Sequence, residues 1–509
     1  MVADNTTKTK QIAKNTAFLY LRMMLTMFLS LYTARLVLQN LGVEDFGIYN
    51  VVGGIVTFMG FLTATMSSAT QRFLTYYLGT GDSLRFKQTF SLLLNVYLIF
   101  CAVAFIIIEI VGPIYISRFM TIPEERIVAA QWVFQFSLIA FLVNTISIPF
   151  RSTIVAYEKM GVYAYIGVVE AVICLAIVMV LPYISFDRLV LYGLLMCLLY
   201  VVLVLVIVVY CHKRFTECRY IKYWNSKYVK EIISYSGWSL FGSTTSVMNL
   251  QGQAIVLNYF FGPIINAAKA VADRVNGMIT QFSQNFYMAV APQIIKSYAI
   301  GDIDYMRSLV LNSSRYSFFM LFVVSVPLFV AAEPLLILWL GKEQVTFEMI
   351  RFCQCTMIYS LVNILEQPIT MAVRATGNIK KYQVYVGTLT LSFIPLCVIL
   401  FLLGAPAYSS MLLLSVVFFV ALIVRIQIVL PIIQTNHSTY LKKVIMPIAF
   451  VVIFTFIIIA LVSLIHFRDD YDKLLKGLIA FIVSAMCCFS IGLNNSEKKL
   501  LFNYIKKII

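Results

Sequence analysis

Residues 15–82 read NTAFLYLRMMLTMFLSLYTARLVLQNLGVEDFGIYNVVGGIVTFMGFLTATMSSATQRFLTYYLGTGD. Two largely apolar runs, 17–39 and 47–70, are each long enough to cross a hydrocarbon core as a helix, which takes ~20 residues. The turn at Gly42 separates them and Gly81-Asp82 ends the second. Working outward, further runs bounded by charges, glycines and prolines lie at 88–110, 127–148, 161–183, 189–211 and 233–258. Others follow at 264–290, 310–332, 348–372, 383–403, 407–431, 444–466 and 474–493. The reading is an all-α polytopic membrane protein of 14 helices.

Composition agrees. Of 509 residues, 61% are apolar and 12% charged, with mean hydropathy +0.89; soluble domains are nearer half apolar and a quarter charged. A soluble enzyme is excluded. The ten cysteines scatter through apolar stretches or a basic loop, with no disulfide framework. Cys353 and Cys355 lack the partner pair a zinc site needs, and His212, His437 and His466 fall far apart, so no metal or other cofactor is expected. The opening MVADNTTKTKQIAKN is polar and basic for too long to be the start of a typical signal peptide, so the first apolar run is expected to stay as a helix.

The net charge of +16 is read as topology. Of the 39 Lys and Arg, 25 fall in alternate loops and tails on one side and six on the other, where Glu44, Asp45, Glu124, Glu125, Asp469 and Asp470 gather. Because positive loops resist translocation, both termini are expected in the cytoplasm.

The chain also repeats. Gly42 recurs as Gly262 and Gly81-Asp82 as Gly301-Asp302, both offset by 220; Asn144, Pro149, Ala156 and Tyr163 recur as Asn363, Pro368, Ala375 and Tyr382, offset by 219. Helix starts keep nearly the same shift. An even number of helices separates the copies, so they share one orientation. The expected organisation is an N-lobe at 1–211, a basic linker at 212–232, a C-lobe at 233–431, and two further helices with a basic tail at 432–509. The linker, CHKRFTECRYIKYWNSKYVKE at 211–231, reads as a cytoplasmic segment lying at anionic headgroups, and the tail SEKKLLFNYIKKII as a short interfacial helix. No nucleic-acid partner is expected.

External loops are short, the longest running from about Gly112 to Arg126. Chemistry therefore falls to residues inside the bilayer, where a charge pairs, snorkels or faces water. In the run 264–290, Lys269, Asp273, Asn276, Thr280, Ser283 and Tyr287 follow at spacings of three or four and line one face. That stripe suits an aqueous cavity or an interhelical seam in which Lys269 and Asp273 form an i,i+4 salt bridge. Asn50 and Thr57 belong to a weaker stripe of the second run. Arg22 and Arg35 lie in the first run, either lining the cavity or snorkelling to an interface. Arg22, Arg35, Lys269 and Arg274 against the single carboxylate Asp273 make a cavity of these helices net positive, which favours an anion such as phosphate or pyrophosphate. Glu170, halfway through its span, is either an ion-coupling carboxylate for H+ or Na+ or a structural partner of Arg22 or a polar neighbour. Glu366 is a candidate partner of Arg315.

With fourteen spans, a same-orientation repeat and the opening stretch quoted above, the chain resembles the multidrug, oligosaccharidyl-lipid and polysaccharide exporter superfamily. Within it, the opening resembles the Wzx-type flippases of lipid-linked O-antigen or capsule repeat units. The resemblance implies a V-shaped, two-lobed transporter in the bacterial cytoplasmic (inner) membrane. It would turn an undecaprenyl-pyrophosphate oligosaccharide to the outer leaflet by alternating access, for O-antigen, capsule or lipopolysaccharide assembly beside other membrane proteins of that machinery. It also implies that Arg22, Arg35, Lys269 and Arg274 hold the pyrophosphate. The runner-up is a cation-coupled multidrug or small-solute antiporter of the same superfamily. A membrane glycosyltransferase would need a long external loop or a catalytic carboxylate cluster, and the sequence has neither, so no enzyme is expected.

Overall fold

The computed structural model describes residues 2–119, 123–464, 472–495, 497 and 498. Outside the described residues fall most of the basic tail and the external stretch with Arg468, Asp469 and Asp470, as do the side chains of Lys8, Lys10, Glu44, Asn50, Thr57 and Arg118. Among the described residues the regular structure is helical, with no strand.

Among the described residues, fourteen helical rods stand where the apolar runs predict them. The first element, Val2–Thr80, is broken at Gly42 into α1 (2–41) and α2 (43–80). Then come α3 (Ser83–Phe119) and α4 (Ile127–Ile146, continued by Ile148–Ala156). Next are α5 (Met160–Val180), α6 (Arg188–Arg214), α7 (Ser226–Phe261), α8 (Pro263–Ala299) and α9 (Ile303–Val330). After a short helix, Ala332–Leu340, α10 runs over Phe347–Asn363 and Glu366–Thr376, and α11 over Lys380–Leu391 and Phe393–Leu402. The last three are α12 (Ser409–Ile432), α13 (Met446–Ser463, entered through His437–Tyr440) and α14 (Asp472–Cys487). Ten spans among the described residues are long and apolar enough to cross a membrane. The rods α2, α7, α8 and α10 are not among them.

The repeat is visible in the backbone. Gly42 (φ 80°, ψ 171°) and Gly262 (φ 77°, ψ −175°) adopt one conformation, and Gly81 and Gly301 match at φ 73° and 76°. These are angles that a side chain resists and glycine accepts. The next residue then caps the following helix: the Asp82 carboxylate accepts the Arg85 N–H at 2.8 Å, and Asp302 accepts that of Tyr305 at 3.1 Å. Breaks near Ser147 in α4 and Ile364 in α10 precede Pro149 and Pro368 by two to four residues. The turns that follow each place one residue at positive φ, Glu158 and Gly377, offset by 219.

The chain divides into two compact units, Met1–Leu240 and Phe241–Ile509, with the boundary inside α7. The first unit packs around Val133, Phe134, Leu138 and Leu189, all fully or almost fully buried. Gly112 lets α3 approach Phe134 so closely that a Cβ there would stand 2.1 Å from the ring, the use small residues have between membrane helices. The second unit packs around Leu257, Ala272, Phe352 and Phe393. Exposed Leu98, Ile99, Val103 and Ile106 on α3 give it the apolar outer face of a helix in lipid.

The linker packs onto the first unit. The Ile221 N–H donates to Ser91 Oγ at 3.0 Å, and Asn95 Nδ2 donates to the Tyr223 carbonyl at 3.4 Å. Rings of Phe73 and Tyr228 meet edge to face, and α7 begins at Ser226, seven residues ahead of the apolar run.

At the other end of this unit, Arg126 ties three segments together. Its Nε donates to Asp45 Oδ1 at 2.8 Å and its Nη1 to Asp187 Oδ2 at 2.5 Å. Asp187 also caps α6, accepting the N–H groups of Leu189 and Val190 at 3.0 and 3.1 Å. Burial disfavours the Asp187 charge, but the Val190 N–H, the Arg126 guanidinium and the Leu189 N–H outweigh it and hold the carboxyl below the ordinary range. Such a group adds stability above its unfolded value of ~3.9, and the gain is lost as pH falls through the lower folded value. Because the Asp187 side chain is 34% exposed, the expected gain is under ~1 kcal/mol. Asp187→Asn should therefore melt slightly lower than the parent at pH 7, with the gap shrinking as pH falls below ~3.9. Thermal unfolding followed by tryptophan fluorescence checks this; a gap unchanged at the acid end would mean that the charge does not stabilise the clamp.

Candidate functional site

A polar pocket of the first unit lies where α1, α4, α5 and α6 meet. Arg22, Arg151, Tyr163, Gly167 and Glu170 line a pocket there with Ile154, Ile166 and Ile207. Its volume is about 20 Å³, room for about one water, which needs ~10–15 Å³. Glu170 stands ten residues into α5, ~15 Å along the helix at ~1.5 Å per residue, so the pocket sits well inside the span.

Each side chain is held for a local reason. The Arg22 guanidinium carbon lies 4.7 Å from the centre of the Tyr163 ring, a cation–π arrangement strengthened away from water. It reaches that place because residue 167 is glycine: a Cβ there would stand 2.5 Å from Arg22 Nε. That Nε is buried without a hydrogen-bond partner. Arg151 is steered from below the break in α4, where its Nε donates to Ser147 Oγ at 3.1 Å and its Nη2 to Asn144 Oδ1 at 3.4 Å. Glu170 makes no ion pair with either arginine among the described residues. Two guanidinium groups and one carboxylate thus share a water-sized polar space.

Sequence reasoning places Arg22 and Glu170 here and misses Arg151, which it counts among the loop charges; the structure sets it within α4, half-buried. The repeat gives no signal for Arg151, whose counterpart 219 residues on is Thr370, but it does relate Tyr163 to Tyr382, and in both units that tyrosine receives an arginine of another helix. In the second unit Arg425 Nε donates to the Tyr382 hydroxyl at 3.1 Å and the guanidinium pairs with Glu366. The expected Glu366–Arg315 pair is therefore corrected. Arg315 pairs instead with Glu497, which also accepts the Tyr316 hydroxyl at 2.6 Å; the tail's carboxylate reaches it, and Arg425 is the cation beside Glu366.

The α8 stripe is divided. Lys269 is buried and bonded to Asp273 at 2.6 Å, the i,i+4 bridge the spacing allows. Asn276 Oδ1 accepts from Ser360 of α10 at 2.5 Å, so this part is an interhelical seam. The Thr280 hydroxyl donates back to the Asn276 carbonyl at 2.8 Å, Ser283 is buried with its Oγ unpartnered, and Tyr287 is half-buried. Arg274 and Arg35 are exposed. Arg35 lies ~20 Å along α1 from Arg22 at ~1.5 Å per residue, so the two do not meet in one site.

No protein-family model and no curated protein matches the chain. Solved structures do. A MATE crystallised with the compound MaD3S is 14% identical, aligns over 84% of this chain and 97% of its own, and has a TM-score of 0.70. A MOP superfamily transporter from Pyrococcus furiosus, for which a reversed polarity of the binding pocket suggests a different function, is 15% identical over 84% and 96%, at 0.70. A multidrug resistance MATE family transporter of the MOP superfamily in an outward-facing conformation is 13% identical over 85% and 96%, at 0.69. The chain has the MATE fold of that superfamily and is a multi-pass membrane protein; at these identities the likeness is one of fold.

The contact between Gly167 and Arg22 gives a direct test of the pocket. Gly167→Ala should push the guanidinium off Tyr163 and lower the melting temperature in the parent, but not in an Arg22→Ala background, where the methyl has room. The coupling expected of touching residues is about 1 kcal/mol. Additive losses across the four proteins would mean that Arg22 does not occupy this place.

Proposed function

We propose that this protein is an exporter working by alternating access, and that it moves an amphipathic organic solute outward in exchange for a cation. The observation that carries this is Glu170, an unpaired carboxylate within a span, in a pocket with room for about one water. A space of that size takes a proton, a hydrated proton or a small ion rather than a cargo headgroup. A carboxylate away from bulk water can bind a proton from one side and release it to the other. The shared fold with a multidrug resistance transporter supports the same reading. Arg22 and Arg151 border the same pocket and add positive charge beside the carboxylate.

A second reading, flipping of an undecaprenyl-pyrophosphate-linked oligosaccharide for surface-polysaccharide assembly, is favoured by the balance of charge. Two arginines face one carboxylate in the pocket, Arg22 has an unpartnered Nε, and Arg35 and Arg274 are exposed. Arginine forks suit phosphate oxygens. The reversed pocket polarity in the Pyrococcus furiosus transporter supports the view that one fold serves cargoes of different charge. On either reading the basic loops put both termini in the cytoplasm, with the protein in the bacterial inner membrane.

Reconstitution into vesicles separates the two. On the antiport reading, a proton or sodium gradient should drive extrusion of a cationic dye such as ethidium. Glu170→Gln should abolish the gradient dependence while membrane abundance stays unchanged. Gradient-independent behaviour of the parent, together with a polyprenyl-pyrophosphate oligosaccharide retained on gentle purification and seen by native mass spectrometry, would replace it with the flippase reading.

A further inference from the structure

A second pocket in the first unit has the opposite character. Between α2, α3 and the first turns of α7 lies a space of about 260 Å³ bordered by Leu62, Met66, Leu93, Phe100, Ile233 and Gly237. Three of its four hydroxyls are bonded at home: Thr65 Oγ1 donates to the Leu62 carbonyl at 2.7 Å, and Thr70 and Tyr97 bond each other at 3.0 Å. Ser236 supplies the fourth in an otherwise apolar lining. A smaller apolar cavity of ~150 Å³ is known to stay dry and take up a hydrocarbon instead. The mouth is open, since Ile233 is 58% exposed and a Cβ on Gly237 would meet nothing within 4 Å. The exposed Leu98 and Ile99 of α3 continue the apolar surface beside it.

Cations stand at the linker end. On α7, Lys227 and Lys230 lie on the face that carries Ile233 and Gly237, at spacings of three and four residues, and both are exposed. Glu231 is turned about 100° from Lys230. On α2, the Arg72 guanidinium lies 4.7 Å from the Phe73 ring, 5.2 Å from Tyr76 and 5.8 Å from Tyr235. A hydrocarbon slot with positive charge one or two helical turns beyond its end has the order of parts of a single anionic lipid.

We propose that this pocket is a binding site for an anionic membrane phospholipid, one acyl chain lying along Leu62, Phe100 and Gly237 and the headgroup phosphate held by Lys230 and Lys227. The site is independent of the cargo and of the pocket around Glu170. The bound chain fills the gap that the small residues Ser236 and Gly237 leave where α7 meets α2 and α3, and so stiffens the start of α7.

Native mass spectrometry of the full chain, purified and then offered phosphatidylglycerol or phosphatidylcholine, tests this. The parent should retain phosphatidylglycerol in preference, and Lys230→Gln should cut that preference about fivefold, the effect of one lysine near an anionic surface. Gly237→Leu, which puts a side chain into open space, should displace the lipid while ethidium transport is scored separately. If that variant does not fold, Ser236→Leu serves the same purpose. Undiminished phosphatidylglycerol on the folded leucine variant would overturn the proposal. So would equal retention of the two lipids by the parent, or a polyprenyl-pyrophosphate that leaves this site when Gly237 is filled.

Discussion

Hydrocarbon offers backbone N–H and C=O groups nothing to bond, so a chain crossing it has to satisfy them internally, and helices do so. Each interruption then needs local chemistry to settle the groups it frees. The breaks here fall where that chemistry exists. Gly42 and Gly262 take a backbone shape closed to other residues. Asp82 and Asp302 occupy exposed N–H groups just past Gly81 and Gly301. At Ser147 the hydroxyl donates to the Asn144 carbonyl at 2.6 Å, and Pro149 brings no N–H that would need a partner. The same solutions recur 219 or 220 residues later because the same constraint recurs.

Charge inside the span obeys a harsher rule. Removing one partner of a buried ion pair typically costs ~3–5 kcal/mol, because it strands the other charge. Arg425 follows the conservative pattern: carboxylate, tyrosine hydroxyl and the Phe418 ring surround it. Arg22, also beside the tyrosine that begins the equivalent rod, has the ring of Tyr163 but an unpartnered Nε, and it makes no ion pair with Glu170. Leaving a guanidinium and a carboxylate unpaired in a polar, water-sized space retains charge that can respond to an arriving proton or ion.

The rods were legible because membrane helices are specified by length and apolarity, and both are local in sequence. The repeat was legible for the same reason: glycine turns announce themselves. Partners were not. Glu366 and Arg315 lie at similar depth by residue count, yet depth alone does not choose between Arg315 and Arg425, and the choice is made by which helices pack together. Arg151 was hidden for a related reason. It follows Pro149, which reads as a helix end, whereas the chain bends at Ser147 and continues as helix to Ala156, carrying the arginine inward. The α8 stripe shows the limit of periodicity: it sets six polar residues on one face but could not say that Ser360 meets part of it.

The polar rods explain why a hydropathy reading and a structural one differ on what crosses the membrane. α2, α7, α8 and α10 fall short of the apolar spans, and some of the polar groups of α7 and α8 are bonded within the second unit. Gln253 donates to Ser410 at 3.0 Å and Asn266 to the Ala254 carbonyl at 3.0 Å. Helices that keep polar groups inside a unit need no lipid-facing stripe all round, which frees their remaining faces for water. Asp273, one third exposed beside the buried Lys269, is such a face.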